Sequence, residues 1–374
     1  MSQPLSRVRF RAQAAAAARP AWGVQSLASV THFTADEQRS LGEKRTLPRM
    51  LSIPSAALAM AANGYMFSSL HIWTAASPWI VALLVAFTAA MMFCWTSALH
   101  EAAHQTLFKS RWLSVLCGRL LGTTMFTPYT AYREVHIRHH AYLNTPKDWE
   151  LWPYSDPNAS LAFRRAFVWF DLLFGVAAGP IIYGRIYFHK NSPIKSPEVR
   201  RDIRYEYVAI AAVWGGIWTF TTLTNQWASH LIVVIAPMYF AAFMQTFRKF
   251  TEHLGMASFD PLEGTRTVLP RKWLLRLSSF LNFDIFIHGP HHRHPRLTHT
   301  TLEAKLHEYQ AENPEIAYPA YERYWQAMLA MAPSMFRNPG CGVNVGGKRE
   351  PHHAAPAEAE DFDSDVVMAG ADHH

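Results

Sequence analysis

Eight histidines of this chain fall into three tight clusters: His100 with His104, His136 with His139 and His140, and His288 with His291 and His292. Imidazole is the commonest protein metal ligand, and residues three or four apart share a helical face. Each cluster is therefore a candidate ligand edge. The H-x2-HH spacing of the second recurs in the third on a different backbone, because Pro290 suits the first turn of a helix. His288 is then expected at the cap and His291 and His292 in the opening turn. A ninth candidate, His253, follows Glu252 at the end of the second long uncharged stretch.

Taken alone, the string His100-Glu101-Ala102-Ala103-His104 also fits the HExxH pattern of zinc proteases, in which the glutamate is a general base. That reading needs a third ligand in a later span, and no acid lies between Tyr207 and Phe247. A histidine-lined metal-binding or transport protein is the other alternative. Around the second cluster, Arg133, Glu134 and Arg138 predict a segment in water or at an interface. His294 and His299 stand outside the repeated spacing and read as ordinary polar residues. The acids Glu101, Glu134, Glu252 and Asp284 are candidates to accept imidazole N–H groups.

The elements that must carry these clusters are set by two uncharged blocks. No Asp, Glu, Lys or Arg occurs from Met50 to Leu99 or from Tyr207 to Phe247, although the mean hydropathy of the chain is an ordinary -0.05. A helix needs roughly 20 apolar residues to cross a bilayer core, so each block accommodates a hairpin of two spans. Polar interruptions at His71, Ser77 and Pro78, and from Asn225 to His230, place the spans near 52–72, 79–99, 207–224 and 230–248. Two shorter uncharged stretches, 120–132 and 172–184, are too short to span and read as interfacial, re-entrant or packed against the bundle. With two hairpins, all three clusters end on one side of the membrane and can form one site.

Charge sets the orientation. The leading segment carries Arg7, Arg9, Arg11, Arg19, Arg39, Lys44, Arg45 and Arg49, whereas the hairpin tips carry no Lys or Arg. The positive-inside rule puts both termini and the clusters in the cytoplasm, and an inner bacterial membrane is the expected location. The net charge of +7 is explained without nucleic acid, since no basic run is interleaved with aromatics. Cys94, Cys117 and Cys341 are too few and too scattered for an iron–sulfur cluster. The fold class is thus an all-α polytopic membrane protein: an N-terminal arm 1–49, partly disordered, a membrane domain 50–345 with a helical cytoplasmic site, and a disordered tail 346–374.

HEAAH after two spans, HIRHH some thirty residues later, then two more spans and HGPHH resembles the membrane fatty acid desaturase and hydroxylase superfamily over residues 50–300. The resemblance implies a non-haem di-iron centre that uses O2, with His100, His104, His136, His139, His140, His288, His291 and His292 as ligands. His253 matches an extra ligand of related desaturases. The segment Asn144 to Glu150 resembles the acidic stretch that follows the second box. In the animal acyl-CoA enzymes an asparagine one turn before the extra histidine is linked to iron through water; here that position is Lys249. The implied activity is oxidation of a lipid hydrocarbon chain, foremost fatty acyl desaturation. The same boxes also serve hydroxylases, ketolases and decarboxylases that form terminal alkenes. The chain shows no cytochrome b5 haem segment, rubredoxin cysteine pairs or dinucleotide fingerprint, so a separate donor of ferredoxin, rubredoxin or cytochrome b5 type is expected.

Overall fold

The computed structural model describes residues 46–69, 78–297 and 299–347. The N-terminal arm, the first hairpin tip near His71 and the acidic tail lie outside the described residues. The described chain is predominantly helical. Its principal helices are α1 (Ser52–Ser69), α2 (Pro78–Ala103), α3 (Arg111–Thr124), α4 (Tyr129–Ala141), α5 (Leu161–Leu173) and α6 (Gly175–Phe188). These are followed by α7 (Pro197–Leu223), α8 (Trp227–His253), α9 (Trp273–Leu281), α10 (His288–Arg293), α11 (His299–Glu312) and α12 (Tyr324–Arg337).

Two of these helices, α2 and α8, are long and apolar enough to cross a membrane. The expected spans near 52–72 and 207–224 fall on α1 and α7, which are less apolar; residues 70–72 lie outside the described residues. Helix α1 carries Asn63 and several serines, and the first turns of α7 carry Glu198, Arg200, Arg201, Asp202, Arg204 and Glu206. Helix α8 opens into a π turn at Leu231–Ile235 just before Pro237. A proline has no N–H to donate and its ring crowds the carbonyl four residues back, so the wider turn absorbs the missing bond.

The two short uncharged stretches do not form single helices. Residues 120–132 are interrupted at Met125–Pro128, and residues 172–184 straddle a 119° bend between α5 and α6. At that bend Gly175 packs close to α8: a Cβ there would lie 3.0 Å from Thr246 Oγ1 and 3.1 Å from the Ala242 carbonyl. The α5–α6 pair is apolar enough to count as a broken span or a re-entrant loop.

Helix α3 is amphipathic in an inverted sense. It buries Ser114, Gly118 and Gly122 together with Leu121, and turns Trp112, Leu116 and Leu120 outward. Helix α9 likewise exposes Trp273, Leu274 and Leu277. Large apolar side chains facing away from a core that holds small and polar residues fit a lipid rather than an aqueous surrounding. The buried glycine is required: a Cβ on Gly118 would run into the ring of Tyr129, whose hydroxyl donates to the Ala102 carbonyl at 2.8 Å. That contact fixes the end of α2 against the start of α4.

The all-α reading misses one small element. Thr267–Val268 and Ala320–Tyr321 form a two-residue parallel ladder. Beside it, Val268 N–H donates to the Phe286 carbonyl at 2.7 Å, and Thr267 Oγ1 accepts from Gly289 N–H at 3.0 Å. The ladder thus anchors α10. Further on, the segment after α12 returns to the site side: Cys341 N–H donates to Tyr154 O at 2.9 Å and Gly342 N–H to Met256 O at 2.8 Å.

Candidate metal centre

Helix α4 carries the second histidine cluster and is buried along almost its whole length. This corrects the expectation of a solvated or interfacial segment. Arg133, Glu134 and Arg138 are buried as a group: Arg138 Nη1 donates to Glu134 Oε2 at 2.6 Å, and Arg133 Nη1 lies 3.7 Å from the other carboxylate oxygen. The first turn of α4 is held from outside. Glu206 on α7 accepts from Thr130 N–H at 2.8 Å, from Thr130 Oγ1 at 2.7 Å and from Arg119 Nε at 2.9 Å. A carboxylate at a helix N-terminus also complements the helix dipole.

All nine predicted histidines come together, and they sort into two groups. His100, His104, His136, His140 and His291 each offer a ring nitrogen within 4.8 Å of the others'. The second group is His139, His253, His288 and His292, with Glu252 at its edge. In the first, His136 Nε2 faces His104 Nε2 at 3.0 Å and His140 Nε2 at 3.2 Å. In the second, His288 Nε2 faces His253 Nε2 at 2.8 Å and His292 Nε2 at 3.1 Å. His288 is the first residue of α10 and Ile287 is its N-cap, one position earlier than the Pro290 rule places it.

The donor set fits transition metals. Burial, reinforced by the adjacent imidazoles, holds His104, His140, His288 and His292 well below the ordinary imidazole value. They are neutral rings with lone pairs to offer, and lone pairs about 3 Å apart in a dry pocket repel unless a cation or proton lies between them. His140 Nδ1 and His253 Nδ1 are buried without a hydrogen-bond partner.

The acids that orient the rings are only partly those expected. Asp148 accepts from His139 Nδ1 at 2.8 Å, and Glu150 from His136 Nδ1 at 2.8 Å. Burial alone would raise Glu150, but the adjacent His136 draws it down to about 2. Asp148 also takes the backbone N–H groups of Asn144, Glu150 and Leu151 at 3.1–3.2 Å. Of the four acids anticipated, Glu252 lies 3.6 Å from His288 Nε2 and Glu101 lies 3.8 Å from His100 Nδ1, with Thr106 donating to Glu101 at 2.9 Å. Glu134 is committed to its arginines. Asp284 pairs with Arg49 at 2.8 Å and accepts from Ser279, holding the left-handed turn at Phe283 and Asp284 that leads into α10. His294 pairs with Tyr309 at 2.6 Å, away from both groups. The side chain of His299 lies outside the described residues.

An apolar cleft runs between α2, α6 and α8. Met92, Trp95 and Leu99 of α2, Val176 and Ile182 near α6, and Met238 and Ala241 of α8 line it. Its inner end includes Tyr132, whose ring is parallel to that of His136 at 5.5 Å, and Tyr183, whose hydroxyl donates to Glu150 at 3.3 Å. Lys249 lines the same end, paired with Asp171 at 2.6 Å. Asp171 accepts from Tyr154 as well.

The fold is thus a helical bundle with an apolar cleft beside two buried histidine clusters of a kind that could hold metal ions. Residues 77–326 match the family described as Fatty acid desaturase. Over 271 residues the chain is 22% identical to the sn-1 oleoyl-lipid 12-desaturase of Arthrospira platensis, covering 68% of this chain and 75% of that protein. The chain belongs to the fatty acid desaturase family.

Proposed function

We propose that this protein is a membrane-bound, O2-dependent oxidoreductase that desaturates a fatty acyl chain, using two non-haem irons held by the nine histidines. The observation that carries the reading is the convergence of all nine rings, as groups of five and four, beside an apolar cleft whose Tyr132 stacks on His136. Family membership and the oleoyl-lipid desaturase relative support acyl desaturation over hydroxylation, ketolation or decarboxylation. The zinc-protease reading loses support because Glu101 is tied to Thr106 and because His100 and His104 belong to a group of five histidines rather than three ligands.

In the proposed topology α1, α2, α7 and α8 span the bilayer, and the site and both termini are cytoplasmic. The chain's own residues then have distinct tasks. The walls from Met92 to Leu99 and from Met238 to Gln245 bind the acyl chain and exclude water. Asp148 and Glu150 fix the tautomer and ring orientation of His139 and His136, as acceptors behind metal ligands do. When bound, the irons supply O2 activation, the chemistry needed to take hydrogen from an unactivated methylene. The overall change breaks two C–H bonds, forms one C=C and reduces O2 to two water molecules, with two electrons and two protons from substrate, two electrons from an external carrier and two protons from solvent.

Expression of the full chain in a host with a ferredoxin reductase system tests the proposal. Two irons per chain and a new double bond in the host acyl lipids are expected. A hydroxyl group, or an alkene one carbon shorter, would instead assign the related oxidations, and one zinc per chain would overturn the reading.

A further inference from the structure

The segment Asp148-Trp149-Glu150 does more than orient two rings. Its alternating backbone sends Asp148 inward to His139 of the second group and Glu150 inward to His136 of the first. Trp149, between them, turns the other way. It lines a separate cleft of ≈ 620 Å³, together with Lys147, Trp152 and Arg185, and the buried Asp148 contributes to the same wall. Arg185 lies between the two indoles, 4.5 Å from each ring. His189, the residue after α6, packs edge-on to Trp149 at 5.6 Å, and Lys190 beside it is exposed.

We infer that this cleft is the docking site of the electron carrier, and that Trp149 is the point of electron entry. The inference rests on the di-iron reading above. Trp149 is the one residue bonded directly to both neighbours of its own chain that hydrogen-bond metal-group histidines, so one indole serves both groups by equivalent short routes. Lys147 and Arg185 line the cleft and the exposed Lys190 follows His189 beside it, whereas of the two lining acids Asp148 is committed inward to His139 and Asp156 remains; that balance fits a small acidic one-electron protein, a [2Fe–2S] ferredoxin. Charge complementarity of this kind governs encounter rate and orientation. Two successive visits by the reduced carrier supply the two electrons that O2 reduction requires beyond those of the substrate.

The test uses the full chain in detergent and a plant-type [2Fe–2S] ferredoxin. Binding of the oxidised ferredoxin is measured by biolayer interferometry, and reduction of the iron centre is followed by stopped-flow absorbance without substrate. Lys147→Glu should weaken ferredoxin binding about ten-fold at low ionic strength, and the loss should shrink in high salt. Trp149→Leu should slow reduction by saturating ferredoxin several-fold, with reduction by dithionite unaltered. Trp149→Phe should recover most of the rate. Unchanged ferredoxin binding in Lys147→Glu, or an unchanged ferredoxin reduction rate in Trp149→Leu, overturns the assignment while leaving the desaturase reading intact. A wild-type chain without iron would instead remove the reading on which it rests.

Discussion

The two imidazole groups are built from the same helices in opposite proportion. Helix α4 gives its i, i+4 pair, His136 and His140, to the first group and His139 to the second. Helix α10 does the reverse, giving His288 and His292 to the second group and His291 to the first. Residues four apart lie on one stripe of a helix, and the adjacent residue lies about 100° around it, so an H-x2-HH box spans the gap between two sites. The H-x3-H box has no such odd member, and His100 and His104 both serve the first group. His253, from α8, completes the second.

The largest expected effect follows from that division. His292→Ala should abolish product formation and lose the metal of the second group while the first retains its own, giving about one iron per chain by metal analysis. If both irons are lost, the two groups load as one unit and the comparison fails. Asp148→Asn and Glu150→Gln separate the groups more gently. Each should lower metal affinity or activity about 10–100-fold, with Asp148→Asn acting on the group of His139 and Glu150→Gln on that of His136. Competition with a chelator distinguishes a single weakened site from two.

Helix α4 feeds both groups, so loosening its N-terminus should not discriminate between them. Glu206→Gln removes a charged acceptor from Thr130 and Arg119, and a destabilisation of about 1–3 kcal/mol is expected, with both metals lost in parallel on heating. The smallest effect belongs to Tyr183→Phe, which deletes one 3.3 Å hydrogen bond to Glu150 and keeps the cleft wall; a change of about 0.5–1.5 kcal/mol, read as a several-fold drop in turnover, is expected.

The histidine positions were legible in the sequence because helical spacing is a local property. Their allotment to two groups was not, since it depends on how α4 and α10 cross. Asp148 and Glu150 illustrate a different gap. The resemblance singled out residues 144–150, yet acids nearer the boxes drew the acceptor role, whereas a two-residue alternation after the left-handed turn at Asn144 delivers both carboxylates. That alternation, D-x-E shortly after a box, was the available signal. Arg133, Glu134 and Arg138 read as solvated because sequence shows charge but not pairing; in the fold they are buried around the one carboxylate of Glu134. The four predicted spans coincide with α1, α2, α7 and α8, and two of these are long and apolar enough to cross on their own.

The short distances between facing Nε2 atoms bear on how the protein is made. Six of the nine rings face one another at 2.8–3.2 Å between Nε2 atoms, closer than facing lone pairs tolerate without a proton or a cation between them. Metal that binds such a site and not the unfolded chain adds its binding free energy to folding. The amount of mature enzyme in a cell would then track the supply of metal during synthesis, and scarcity would be felt first as faster turnover of the polypeptide, before any change in catalytic rate per folded molecule.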